Sequence, residues 1–137
     1  MKLTDNLGLG LIQLPDDLLW VDEFDWVPLT ATNSYSLTGA LIIEQAVRLY
    51  GRPITLQCPD QEMAWVDRAT ALQLIAQANV PGKKFHLTFE YPTDTRQFTV
   101  SFDNSQKPVE VTPVKGFSNH DSQEYVCAKL NLIEVQP

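Results

Sequence analysis

Hydrophobic and polar residues alternate along much of the chain, and this pattern predicts β-structure. The clearest runs lie in the second half, and their apolar members are Phe85, Leu87, Phe89 and Tyr91, then Phe98, Val100 and Phe102, and finally Val126, Ala128, Leu130 and Leu132. A period of two places every second side chain on the same face of a strand. These runs therefore predict short strands with one buried face, separated by turns at residues 92–94 and 104–107.

A longer alternating stretch lies in the first half of the chain. Its apolar members are Tyr35, Leu37, Gly39, Leu41 and Ile43, and the pattern continues through Val47 and Leu49. The stretch predicts a long strand or a strand with a bulge. The polar residues 31–34 predict a turn before it, and residues 51–53 predict its end. Ile54, Leu56 and Cys58 begin another short strand, so we expect the two strands to pair as a hairpin.

A single stretch has helical periodicity. Asp67 is a suitable N-cap, and residues 81–82, Pro-Gly, predict the end of the helix. Its apolar residues at helical spacing are Ala69, Leu72, Ile75 and Ala76, with Ala71, Leu74 and Ala78 beside them. We expect a short amphipathic helix that lies across a sheet or closes one end of a sandwich.

Residues 18–27, LLWVDEFDWV, combine aromatic and acidic side chains in an imperfect strand pattern. This pattern predicts an extended arm or an edge strand. We expect residues 1–33, approximately, to form an N-terminal extended arm on a single domain that spans residues 1–137. The fold class predicted is mainly β, an antiparallel β-sandwich or barrel with one short amphipathic helix.

The charge of the chain narrows the range of partners. The formal net charge is -7, with 17 acidic residues against 10 basic ones. Such a surface repels phosphate backbones and anionic lipids, so we expect neither sequence-specific nucleic-acid binding nor membrane binding. No apolar run has the length of a membrane span or a signal peptide, and we expect synthesis in the cytoplasm. In that compartment Cys58 and Cys127 are expected to stay reduced, and a single disulfide between them is the alternative.

Residues with catalytic or metal-binding chemistry are sparse. His86 and His120 are the only histidines, and neither belongs to a zinc-ligand spacing. A small hydrolase that uses His120 with Asp121 or Glu124 is the weakest hypothesis, because no nucleophile motif accompanies these residues. The sequence therefore predicts a protein without enzymatic activity, metal or cofactor.

Five carboxylates near the N-terminus form an acidic strip, but they do not follow the spacing of a calcium loop. A pair of them facing across a cleft could serve a glycosidase, which the sequence alone does not decide. We interpret the strip as solvated or facing a partner. Its members are Asp16, Asp17, Asp22, Glu23 and Asp25.

Aromatic side chains lie among these acids. Aromatic anchors with an acidic rim are typical of protein–protein interfaces. The alternative is that Trp20, Phe24 and Trp26 cover the end of the sandwich core. Arg48, Arg52 and Arg68 could meet the acidic strip of a neighbouring copy, head to tail. The candidate subunit-interface residues are Trp20, Phe24, Trp26, Arg48, Tyr50 and Arg52.

Several stretches resemble the small tail-tip proteins, of the distal-tail type, found in long-tailed phages and prophages. They are LPDDLLWVDEFDWVPL, TGALIIEQAVRLYGRPITL, a helix after Trp65 and Arg68, and the closing pattern of FHLTF, RQFTVSF and LNLIEV. The resemblance covers nearly the whole chain, and GRPITL at residues 51–56 is its most distinctive part.

This resemblance implies a structural role in the virion tail. Proteins of this type are similar to tail-tube proteins in using a β-sandwich flanked by a helix. They form rings, typically hexameric, that join the tail tube to the hub and the receptor-binding parts. The implied partners are further copies of the chain, tail-tube proteins and hub or tail-tip proteins. DNA would pass through the ring, and an acidic lumen would let it slide without sticking.

A second function is compatible with the same fold. A β-sandwich module could bind a carbohydrate or another small ligand, with Trp20, Trp26 or Trp65 as stacking platforms. An assembly protein and a ligand-binding module differ in what their aromatic side chains contact. The positions of these tryptophans in the fold therefore help to distinguish the two functions.

Overall fold

The structure, a computed structural model, describes residues 1–5, 10–59, 63–114 and 125–137. It is mainly β with antiparallel sheets and one short helix, which confirms the predicted fold class. The elements in chain order are β1 (Lys2–Asp5), β2 (Leu11–Gln13), β3 (Leu19–Trp20), β4 (Leu29–Tyr35), β5 (Leu41–Val47), β6 (Pro53–Gln57), β7 (Val66–Asp67), α1 (Arg68–Ala78), β8 (Phe85–Thr88), β9 (Gln97–Phe102), β10 (Val109–Pro113) and β11 (Tyr125–Glu134).

Nine strands form one open antiparallel sheet, and β4 and β5 form a separate two-stranded sheet. The main path of the large sheet runs β2-β1-β8-β9-β11-β6-β3, while β10 and β7 pair with β11 beside this path. We call the nine-stranded sheet with α1 the body, and we call residues 29–47 the hairpin.

The long strand β11 holds the body together. Leu130 lies opposite Leu56 of β6 and also opposite Val109 of β10, so β11 has a partner on both edges. Its second half pairs with β9, where Leu132 lies opposite Phe102. The predicted apolar face of this strand is buried, and Cys127 and Asn131 on the other face are buried as well. Both faces of β11 are thus covered, as expected for a central strand.

The core fills the space between the sheet and the helix. Phe85 and Phe102 meet edge to face, with ring centroids 5.5 Å apart. The two alternating runs of the second half thus bury Phe85, Phe89 and Phe102, while Tyr91 and Phe98 are partly buried against the core. The largest fully buried side chains are Met1, Leu3, Ile54, Leu56, Leu74, Leu87, Leu130, Leu132, Val100 and Val126.

The helix begins after Asp67 as predicted, but it buries a different face. Asp67 has extended backbone angles at the N-cap position, and the side chain makes no capping hydrogen bond. The buried positions are Ala71, Leu74 and Ala78. The residues Ala69, Leu72, Ile75 and Ala76, singled out by the helical spacing, are exposed. The helix is apolar on both sides, so periodicity alone could not select the face that packs on the sheet.

The predicted long strand at residues 35–49 is instead a turn followed by a strand. The polar residues 31–34, expected as a turn, belong to β4, and the chain reverses at residues 36–40. Gly39 has a φ of 86°, a left-handed conformation that favours glycine, and its amide donates to the Ser36 carbonyl. Strand β5 therefore pairs with β4, and the expected hairpin with the strand at Ile54 does not form.

The N-terminal segment is part of the body rather than an arm. Strand β1 lies between β2 and β8, and Leu3 is buried opposite Leu87. Strand β3 is a short edge strand beside β6, as one of the two interpretations of residues 18–27 expected. The prediction of an extended arm is wrong because apolar residues at 1, 3, 12 and 14 complete the core.

The two cysteines form a disulfide, so the prediction of reduced thiols is wrong. Lys129 of β11 lies opposite Gln57 of β6, and this register brings the neighbouring Cys127 and Cys58 together. Their Cα atoms are 5.6 Å apart. The pairing depends on a contact between distant segments, which the spacing of the cysteines along the sequence does not reveal.

Candidate functional site

The hairpin has one apolar face that the described part of the chain leaves exposed. In an antiparallel pair, residues opposite each other lie on the same face. Leu29 lies opposite Val47, Asn33 opposite Ile43 and Tyr35 opposite Leu41. All of these positions are exposed, and Ile43 and Val47 have 53% and 64% of their surface accessible. A face of this composition normally packs against a core.

The opposite face of the hairpin is mostly polar. Thr32 lies opposite Glu44, and Ser34 lies opposite Ile42. Thr30 also donates a hydrogen bond from its hydroxyl to the Ala46 carbonyl, at 3.1 Å. The hairpin therefore has the two-sided pattern of a sheet that covers a core, but in β5 the residues of both faces are exposed.

The apolar face continues beyond both ends of the paired strands. At the tip Leu37 is fully exposed, and at the base Val27 and Leu49 have the same parity as Leu29 and Val47. The tip is held in shape by hydrogen bonds from the Ser36 amide to the Ala40 carbonyl, 2.9 Å, and from the Ala40 amide to Ser36 Oγ, 3.1 Å. We call the exposed apolar surface of residues 27–49 the hairpin face.

Trp20 belongs to the core of the body. It has 8% of its surface exposed and stacks on Phe89 with ring centroids 5.5 Å apart. Two guanidinium groups complete its surroundings, with Arg52 at 4.7 Å and Arg96 at 5.3 Å from its ring centroid. Contacts of this kind are attractive because a cation lies over the negative face of the ring.

Arg52 fixes the acidic turn after β3 rather than a neighbouring subunit. Its Nη2 donates to the Glu23 carbonyl at 2.7 Å, and its guanidinium also lies 5.9 Å from the Trp26 ring. Asp22 accepts the Thr55 amide at 2.9 Å and the Thr55 hydroxyl at 3.0 Å. These contacts attach residues 20–26 to β6, which supports a role in closing the body for Trp20 and Arg52.

Arg96 is the second clamp on this turn. It forms ion pairs with Glu23 at 2.7 Å and with Asp94 at 2.8 Å. The hydrogen bonds to Asp94 and Glu23 raise the pKa of the Arg96 guanidinium further above its usual value. The same hydrogen bonds from Arg96 lower the pKa of Asp94. Part of the acidic strip is therefore used inside the molecule and is not an exposed row of charges.

The remaining candidate interface residues lie near the base of the hairpin. Phe24 has 89% of its surface exposed, Arg48 and Tyr50 are exposed, and Trp26 is half-buried. The Arg48 amide donates to the Pro28 carbonyl at 2.7 Å, so Arg48 follows directly from the hairpin. These four residues, unlike Trp20 and Arg52, are placed where a neighbouring protein could contact them.

The residues considered for catalysis do not come together in the described part of the chain. His86 is half-buried, and its Nδ1 lies 3.5 Å from the Thr99 hydroxyl. His120, Asp121 and Glu124 lie outside the described residues. Among the described residues, no group of three or more His, Cys, Asp and Glu side chains is arranged to hold a metal ion. Within the same residues, no helix is both long and apolar enough to cross a membrane.

The tryptophans proposed as sugar platforms differ in their accessibility. Trp20 is enclosed by Phe89, Arg52 and Arg96, so it has no open ring face for a sugar. The cavity beside it measures about 220 Å³, below the roughly 300–1,000 Å³ of usual ligand pockets. Trp65 is partly exposed and lies 6.2 Å from the Tyr125 ring.

Sequence reasoning missed the hairpin face as a site. The sequence pattern predicted a turn at residues 31–34 followed by a strand from Tyr35. The structure instead has the strand β4 at Leu29–Tyr35 followed by a turn at residues 36–40. The signal that could have located the hairpin is Gly39 in the segment Ser36–Ala40, because a tight reversal needs a residue with positive φ. No protein-family model, no curated protein and no solved structure matches the chain in sequence or structure comparisons.

Proposed function

We propose that the chain is a non-enzymatic structural protein of a phage tail tip. In this role, copies of the chain form a ring, typically of six subunits, which joins the tail tube to the hub and lets DNA pass. The observation that carries the proposal is the hairpin face, an apolar surface on an element that the body does not cover. The resemblance of the sequence to distal-tail-type proteins supplies the kind of assembly.

The energetics of the hairpin support an assembly role. An isolated two-stranded hairpin is at best marginally stable in water and normally needs further strands or a packing partner. Each square ångström of apolar surface that leaves water contributes roughly 25 cal/mol. Covering the side chains of Leu41, Ile43 and Val47 therefore favours association. In a ring, every subunit has a neighbouring subunit that can cover these side chains.

The position of the hairpin also suits an assembly element. Residues 28 and 48 are joined by the hydrogen bond at its base, and residues 51–53 lead directly into β6 of the body. The Gly51 amide donates to the Glu134 carbonyl at 2.9 Å, which fixes this exit against β11. The hairpin thus extends from a firmly held base. A hairpin docked on a neighbouring subunit would therefore also fix the position of the body.

The charge of the chain is compatible with a DNA passage. With a net charge of -7, a ring of such subunits would carry a strongly negative surface. A negative lumen repels the DNA backbone and so prevents the DNA from adhering during ejection. This argument favours the tail-tip role over a role in which the chain binds nucleic acid.

The proposal is tested on particles of the phage or prophage that encodes the chain. Mass spectrometry should detect the chain in purified particles, and electron microscopy should place it as a ring at the tail tip. Particles carrying Ile43→Asp should lack a complete tip, because the charge would have to be buried in the subunit contact. Absence of the chain from infectious particles would refute the proposal.

A matched control separates the hairpin face from the hairpin itself. Ser34 lies on the polar face of the same element, opposite Ile42. Ser34→Asp introduces the same charge without placing it on the apolar side. We expect these particles to assemble with normal tails. Equal defects from Ile43→Asp and Ser34→Asp would show that any charge on the hairpin is harmful and would remove the argument from its apolar face.

A further inference from the structure

The outer side of α1 is a second apolar surface, exposed among the residues that the structure describes. Leu72 has 54% of its surface exposed, and Ile75, Ala76 and Val80 are exposed as well. Residues three and four apart lie on one side of a helix, so Leu72, Ile75 and Ala76 form a row, and Val80 follows just beyond the C-cap Asn79. We call these four residues the helix stripe. A surface helix normally presents mostly polar side chains outward, whereas here the apolar stripe is exposed beside Gln73.

The hairpin face and the helix stripe are nearly free of acidic residues. Of the 17 acidic residues in the sequence, Glu44 is the only one within residues 29–50 and 68–80. Glu44 lies on the polar face of the hairpin, opposite Thr32. Copies of a chain with a net charge of -7 repel each other over most of their surface. They can approach with least repulsion where these two surfaces meet.

The helix is shorter than the hairpin strands. Each hairpin strand has seven residues, which corresponds to about 24 Å at roughly 3.4 Å per residue. The helix has 11 residues and, at roughly 1.5 Å per residue, is about 16 Å long. The helix stripe therefore fits within the length of the hairpin face.

We propose that the hairpin face of one copy docks on the helix stripe of the next copy. This inference rests on the assembly role proposed above and identifies the acceptor surface. The two surfaces lie on different elements, so each copy offers one of each. A contact between unlike surfaces is heterologous, and its repetition gives a closed ring or a filament. It is distinct from a contact in which two hairpins would pair with each other.

Mixing two purified variants tests this arrangement. Ile43→Asp removes the hairpin face and keeps the helix stripe, while Leu72→Asp does the reverse. Wild-type protein should form oligomers in light scattering after size exclusion. Each variant alone should be a monomer, because a charge would have to enter an apolar contact. The mixture should form a dimer with one copy of each variant and no larger species.

Several results would overturn the inference. One is a wild-type protein that stays monomeric at every concentration. Another is normal oligomerisation of Leu72→Asp, which would mean that the hairpin docks elsewhere. A third is a mixture that stays monomeric. Ser34→Asp is the surface control and should oligomerise as wild type does. Leu72→Ala is a second variant with high helix propensity, and it should fold and weaken association by about tenfold.

The outcome of this experiment is separable from that of the proposed function. Purified variants associate, or fail to, without any phage particle. If the mixture forms the expected dimer but the chain is absent from particles, the docking is correct and the tail-tip role is wrong. If the chain lies at the tail tip but the mixture does not associate, the tail-tip role stands and the helix stripe is not the acceptor.

Discussion

The body and the hairpin are both antiparallel β-structure, but they differ in where their apolar residues face. Strand β11 buries most of its residues, while every residue of β5 is exposed. The sequence of β5 does not indicate this exposure, since the strand begins with the apolar residues Leu41, Ile42 and Ile43. Alternation therefore predicts a strand and its faces, but what covers a face depends on the fold, and for the hairpin we propose a contact with another copy.

The disulfide should distinguish the two regions most strongly. It links residues of the body that are 69 positions apart, and closing such a loop in the unfolded chain contributes about 4 kcal/mol to stability. We expect the double variant Cys58→Ser and Cys127→Ser to unfold at a much lower urea concentration. The hairpin carries no part of this link, so oligomerisation of the folded variant should be unchanged. Equal urea midpoints for variant and wild type would contradict the pairing.

A matched pair of truncations compares one apolar residue from each region. Leu56 is fully buried opposite Leu130, so Leu56→Ala should lower the free energy of unfolding by about 3 kcal/mol. Ile43→Ala should change the free energy of unfolding of the monomer by less than about 0.5 kcal/mol. The same Ile43→Ala variant should weaken oligomerisation. A large loss of monomer stability from Ile43→Ala would mean that the body covers the hairpin.

The acidic turn offers a smaller contrast between anchored and exposed carboxylates. Asp22 accepts two hydrogen bonds from Thr55, and Asp22→Ala leaves the Thr55 amide without this partner. We expect a loss of about 1–2 kcal/mol in the free energy of unfolding. Asp25→Ala in the same turn is the control, because Asp25 is exposed, and its effect should be close to zero. Similar losses from both substitutions would show that the turn responds to charge alone.

Acid should weaken the contacts of Arg96 that hold this turn, while leaving the hairpin unaffected. Hydrogen bonds from Arg96 lower the pKa of Asp94 in the folded protein. A lowered folded-state pKa contributes stability that is complete above the unfolded value of about 3.9 and is lost as the pH falls through the folded value. Asp94→Asn should therefore lose less stability than wild type between about pH 5 and pH 2 in urea titrations. Parallel losses would argue against the Arg96 contact.

Local signals predicted the second half of the fold. The alternation at Phe85, Phe98 and Val126 and the N-cap at Asp67 all act within a few residues, so they are readable from the sequence. Contacts between distant segments were not readable. The approach of Cys58 to Cys127 and the burial of Trp20 under Arg52 and Arg96 depend on strand register and packing. The helix face was misassigned because Leu72 and Leu74 are equally apolar.

The hairpin face was also outside the reach of sequence patterns, for a physical reason. Apolar residues are normally assigned to the core of their own chain, and alternation alone would place Tyr35, Leu41 and Ile43 on such a buried face. Phe24, Trp26, Arg48 and Tyr50 stay predictions as interface residues, and they lie near the base of the hairpin. The hairpin, which follows the aromatic and acidic turn in the chain, is thus the stronger candidate interface.

Amide hydrogen exchange, measured over a range of protein concentrations, tests most directly whether the hairpin is covered by another copy. In dilute protein, the amides of β4 and β5 should exchange rapidly, while those of β11 are protected. As the concentration rises, protection should appear in β4 and β5 and change little in β11. Hairpin protection that is the same at every concentration would contradict the proposal that a second copy covers this face.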